Sequence, residues 1–77
     1  MTSTHAVRLT GWKRGIRTVS LIDLIRQSTR MSLKGSKRVV DDLLAGQPHT
    51  FTFAEREEAV AFRGAAAQLG AETDETM

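Results

Sequence analysis

Only two residues, Arg30 and Met31, separate two stretches in which apolar side chains recur at helical spacing. Over 19–29, Leu21, Leu24, Ile25 and Ser28 fall on one side, no Gly or Pro intervenes, and Thr18 stands where a cap is expected. From 33 to about 45, Leu33, Ser36, Val40, Leu43 and Leu44 mark the inner side of a second helix. Ser32 is its natural N-cap, and Gly46 and Pro48 stop it. So short a connection forces a tight αα corner. Val19 and Ile22 make the first helix apolar over a wider arc than a core stripe needs. Gly35 costs the second helix about 1 kcal/mol relative to alanine. It reads as a tolerated first-turn glycine, with close approach of another backbone as the functional alternative.

Around this pair the period changes to two. Residues 5–11 alternate, with Val7 and Leu9 pointing one way, and the strand is expected to end at Gly11. Residues 12–15 then read as a connection bracketed by Gly11 and Gly15. Residues 49–53 form a short strand with Phe51 and Phe53 on one face. Thr52 and Glu55 have the spacing of a capping box for a last helix, unless that helix starts two residues later. Ala59, Phe62, Ala66 and Leu69 are its inner positions, Gly70 ends it, and 71–74 is expected as a weak edge strand. The expected fold is α+β, in the order β-α-α-β-α-β. It has a small antiparallel three-stranded sheet with helices on one face, built as a single domain without repeats and frayed at 1–4 and 75–77.

A chain of 77 residues buries only roughly 60–65% of its unfolded surface. There is no cysteine, so neither a disulfide nor a cysteine-based zinc site can staple it. The N-terminus lacks the apolar core of a signal peptide, and no apolar run reaches the roughly 18 residues of a membrane span. A cytoplasmic protein is expected. Charge is unevenly placed: residues 1–40 carry nine Lys and Arg against Asp23, a net of +8, and residues 41–77 carry a net of −6. That polarity predicts a basic face and an acidic face.

No catalytic constellation is visible. Asp41–Asp42 and Glu55, Glu57 and Glu58 lie near helix ends, and the glutamates suit the positive end of a helix dipole. His5 and His49 fall on neighbouring strands, without the two further ligands a shared metal would need. The glycines and lysines of 11–15 and 34–37 do not form a phosphate loop. The chain is expected to have no enzymatic activity, no cofactor and no metal.

The helix pair, with 7–12 before it, resembles the C-terminal domain of the bacterial ribosomal stalk protein. That family carries a strand, a "VIKxVRxxTGLGLKEAKxLV" helix pair and a last helix ending "LxxxGA". Ile25, Arg26, Thr29, Leu33, Lys34, Lys37 and Val40 match in register, as do Leu69, Gly70 and Ala71, so the likeness spans about 5–75. The resemblance implies the same β-α-α-β-α-β fold. It also implies a protein-binding surface on the outer side of the 19–44 helix pair, directed at a translation GTPase or the ribosome. Carried over by position, Val19, Ile22, Arg26, Arg30, Lys34 and Lys37 are the candidate contacts.

The departures matter too. Asp23 replaces a lysine of the motif, Arg30 and Ser32 replace two corner glycines, and 42–53 differs in length and sequence. The family's dimerisation and ribosome-anchoring domain is missing, so a stand-alone relative is expected. The Clp-protease adaptor family is similar in architecture, but it needs Asn-Asp-Asp after the first strand to hold an α-amino group. Gly11, Trp12, Lys13 and Arg14 stand there instead, and cations cannot hold an ammonium ion. Two alternatives remain. One is nucleic-acid binding through Arg14, Arg17, Arg26, Arg30, Lys34, Lys37 and Arg38, with Trp12 the one aromatic among them, expected rather as a lid on the core. The other is a structural homodimer through the helix pair or a strand edge. A monomer or weak homodimer is expected.

Overall fold

A computed structural model of the chain describes residues 4–74. The fraying expected of the ends falls outside them, apart from Thr4, which is irregular. The elements are β1 (His5–Trp12), α1 (Thr18–Thr29), α2 (Leu33–Leu44), β2 (His49–Phe53), α3 (Arg56–Gln68) and β3 (Ala71–Asp74). All strand pairs are antiparallel, in the order β2-β1-β3. Val7 and Leu9 of β1, with Phe51 and Phe53 of β2, are buried beneath the helices, while Ala6, Arg8, Thr10, Thr50 and Thr52 face out. This is the expected α+β domain, with its helices on one face of a small antiparallel sheet.

The core joins that sheet face to Leu21 and Ile25 of α1, Val39, Val40 and Leu43 of α2, and Ala59, Phe62 and Ala66 of α3. Phe62 lies between the two strand phenylalanines, its ring centroid 5.1 Å from Phe51 and 5.2 Å from Phe53. The first contact is edge-on and the second tilted, arrangements that suit the ring quadrupoles.

Three local expectations are corrected. Helix α1 begins at Thr18, so its N-cap is Arg17 and no side chain caps it. The capping box of Thr52 and Glu55 does not form; Glu55 is itself the N-cap of α3, and Glu57 and Glu58 occupy the first turn. Strand β1 does not end at Gly11. A bulge between Leu9 and Gly11 inserts one residue, pairs Gly11 with Glu72, and pairs Trp12 with the buried Ala71. An extra residue reverses the in–out alternation. Trp12 is thereby carried to the helix side, where its Nε1–H donates to the Leu44 carbonyl at 3.2 Å. One orphan carbonyl at the end of α2 is thus satisfied. The side chain stays 45% exposed, a partial lid at the rim.

Ser32 caps α2 as expected, its Oγ accepting from the Gly35 N–H at 3.0 Å. A Cβ on Gly35 would stand 3.2 Å from that hydroxyl. The other near neighbour is the Met31 Cε at 3.9 Å, so no other backbone approaches Gly35.

The most consequential long-range join lies between the β1–α1 connection and the α3–β3 turn. The Lys13 N–H donates to the Gly70 carbonyl at 2.7 Å, and the Arg17 N–H donates to the Leu69 carbonyl at 2.8 Å. Gly70 has φ +101°, and a Cβ there would lie 2.7 Å from the Ile16 Cα. Only glycine fits this crossing.

Candidate functional site

Helix α1 has two apolar stripes. Leu21 and Ile25 face the core and are fully buried; Val19, four residues before Asp23 and seven before Arg26, faces outward. Residues three, four and seven apart share a side of a helix. Val19 is 73% exposed, the highest value among the large apolar side chains of the described residues. Ile22 is half-buried and leans on the core from the edge of the stripe, so it serves packing and surface together.

The stripe runs into the corner. Arg30 caps α1 in the left-handed conformation, with φ 59° and ψ 25°, and its N–H donates to the Arg26 carbonyl at 2.9 Å. It is the only residue other than glycine with positive φ among those described. A Cβ in that region costs roughly 1–2 kcal/mol, and glycine is the usual occupant. Arg30 is therefore a strained occupant of this corner. Met31 folds back against the core, Ser32 caps α2, and Lys34 and Lys37 follow on its exposed side, one turn apart.

All six candidates thus lie on the α1–α2 pair. Val19, Ile22, Arg26 and Arg30 follow one side of α1; Lys34 and Lys37 stand on α2 beyond the corner. Val19, Arg26, Arg30, Lys34 and Lys37 are exposed. Leu33, expected on the inner side of α2, is instead 49% exposed. It is the first residue of the helix, one turn before the buried Ser36. Its stripe position pointed inward, but the cap at Ser32 marks where the helix leaves the core. Leu33 adds a second open aliphatic chain beside the corner cations. Asp23 is exposed three residues before Arg26, so a carboxylate interrupts the cationic rim.

No protein-family model matches the chain, and no curated protein and no solved structure matches it. The weight therefore falls on the side chains themselves.

The other expected features are dispersed. His49 is opposite Leu9 and His5 opposite Phe53, four positions apart along the ladder. Among the described residues no group of three or more His, Cys, Asp or Glu comes together. Phe51, Phe53 and Phe62 are buried, and the indole N–H of Trp12 is engaged by Leu44. The described surface therefore offers nucleic-acid bases no row of rings on which to stack. No helix among these residues is long and apolar enough to cross a membrane.

Proposed function

We propose that this chain is a non-catalytic, cytoplasmic protein-binding module that docks through the outer side of the α1–α2 pair. Val19 and Leu33, with the exposed part of Ile22, form its aliphatic centre. Arg26, Arg30, Lys34 and Lys37 form its rim. The observation that carries the reading is Val19: a small domain short of apolar side chains leaves it almost bare, within a turn or two of cations. Apolar side chains among arginines are what binding hot spots are made of. The partner this surface fits presents aliphatic side chains among carboxylates. The resemblance to the stalk C-terminal domain makes a translation GTPase or the ribosome the first candidate.

The test uses Val19→Glu with Arg26→Glu, because both residues are exposed and their replacement leaves the core alone. Ile22 is a poorer choice, since its half-buried side chain would confuse binding with stability. Direct titration of translation GTPases and ribosomes with both proteins should show affinity falling at least about tenfold in the variant, with an unchanged melting temperature. Undiminished binding by the variant would sink the proposal. RNA binding that weakens steeply with salt and is lost on replacing Lys34 and Lys37 would move the reading to nucleic acid.

A further inference from the structure

The outer edge of β2 is a second surface, and it uses none of the α1–α2 residues. In the order β2-β1-β3, β2 has a neighbour on one side only. Alternate residues of such a strand turn their N–H and C=O groups away from the sheet. Among the described residues, no hydrogen bond from a loop, a cap or a side chain reaches 49–53. The described chain starts beside β1 and ends in β3, and β1 separates β3 from β2. Edge strands are usually blunted by charge, proline or a bulge. Strand β2 has no Lys, Arg, Asp, Glu or Pro within His49–Phe53, and it pairs with β1 over five consecutive residues without a register shift. The bulge of the sheet lies on the β3 side.

The residues of the edge specify its occupant. His49, Thr50, Phe51, Thr52 and Phe53 read nearly the same in both directions about Phe51. A second β2 laid antiparallel across a two-fold axis at Phe51 overlaps the whole strand. Centring the axis on a residue also brings outward N–H and C=O groups face to face, whichever residues carry them. In this register Phe51 stands opposite Phe51 and His49 opposite Phe53 on the helix side, while Thr50 stands opposite Thr52 on the open side. Aromatic pairs and threonine pairs are favourable cross-strand combinations, and no like charges meet. Thr50 and Thr52 are exposed, so their contact is free to form. A two-fold axis perpendicular to the sheet keeps both helix layers on one side. We propose that two copies of this chain pair through β2, antiparallel and centred on Phe51, into one continuous sheet in the order β3-β1-β2-β2-β1-β3. Five residues a side fall short of the roughly 20–30 of a standard interface, so this dimer dissociates on dilution.

The pairing is read by NMR on the full chain between micromolar and millimolar concentration. Amide shifts and slowed exchange should build up with concentration at 49–53, while the rotational correlation time rises towards that of a dimer. Thr50→Glu combined with Thr52→Lys sets opposite charges across both symmetry-related contacts and should tighten the dimer about threefold or more. Thr50→Glu combined with Thr52→Glu sets like charges there and should weaken it by about the same factor or more. In both variants the new carboxylate at position 50 faces Arg8 of its own β1, and position 52 faces Ala6, so the monomer keeps its fold. The proposal is overturned if shifts and correlation time stay constant up to millimolar concentration, or if the two double variants dimerise equally. Dimerisation that perturbs Val19, Ile22 and Leu33 in place of 49–53 also overturns it, and moves the contact to the helix pair. So does slow exchange of every amide in 49–53 at all concentrations, since the edge is then covered within one chain.

Discussion

Replacing Gly70 by alanine should be among the most damaging single-methyl changes in this protein, and the structure supplies its own control. At Gly70 an added Cβ meets two obstacles. The backbone has φ +101°, and the Ile16 Cα lies 2.7 Å away. The first costs about 1–2 kcal/mol for an L-residue. The second is backbone against backbone, so relief requires the β1–α1 connection to move off the α3–β3 turn. That movement weakens the bonds from Lys13 to Gly70 and from Arg17 to Leu69, at about 1 kcal/mol each. The sum is about 3–4 kcal/mol, against a total stability of about 4–12 kcal/mol for a chain this size. Gly46 is the control, with φ +91° and nothing within 4 Å of its added Cβ. Gly46→Ala should therefore lose only the conformational part. In urea, with a slope near 1 kcal/mol/M for so small a domain, the Gly70→Ala midpoint should fall about 2 M below that of Gly46→Ala. Equal midpoints would refute the reasoning, because they would mean that the close crossing at Ile16 restrains nothing.

Three other changes follow from the same geometry. Arg30→Gly removes the strain of a left-handed arginine and should raise the melting temperature by about 2–8 °C, for a gain of about 0.5–1 kcal/mol; a lower value would show that the arginine side chain stabilises the corner. Ser36 is fully buried and its Oγ has no hydrogen-bond partner, so Ser36→Ala should be neutral or stabilising by about 1 kcal/mol in denaturant titration, and a loss would reveal a bond for that hydroxyl. Trp12→Phe deletes the donor to the Leu44 carbonyl and should cost about 1–2 kcal/mol by thermal unfolding, with no change indicating that the lid is ornamental.

The parts of the fold that were legible in the sequence are those governed by local period and local caps. Val7 and Leu9 alternate, Leu21 and Ile25 recur at helical spacing, and Ser32 precedes a run that ends before Gly46; each element follows from neighbours within a few residues. The misreadings arose where the deciding contact is distant. The bulge that turns Trp12 inward depends on how β3 pairs with β1, which no local pattern records. Val39 is buried beside Val40 because α2 packs both on β1 and against α1, so a single stripe understates its covered arc. The need for glycine at 70 comes from Ile16, more than fifty residues earlier. The candidate face was legible as a surplus: α1 holds more apolar side chains than one core stripe can use. How that surplus divides was not, since Ile22 and Leu33 lie at the rim, where half a turn decides exposure.

That division bears on why the helix pair looks as it does. A domain of this size gains little from its core beyond what ordering the chain costs, so each aliphatic side chain left outside is a forgone contribution. Val19 and Leu33 are left outside, and at the corner between them a strained arginine stands where glycine would relax the chain. Packing explains none of the three. The proposed docking function would give all three a use, because local strain and exposed apolar groups concentrate where binding depends on them. The two explanations diverge for Val19→Lys. If the side chain were only poorly packed core, lysine would cost more than 1 kcal/mol and leave partner binding proportionate to the folded fraction. With nearly three-quarters of Val19 open to solvent, the substitution should instead stay within about 0.5 kcal/mol of the parent while binding is lost. Unfolding and binding curves on the same sample therefore separate the two.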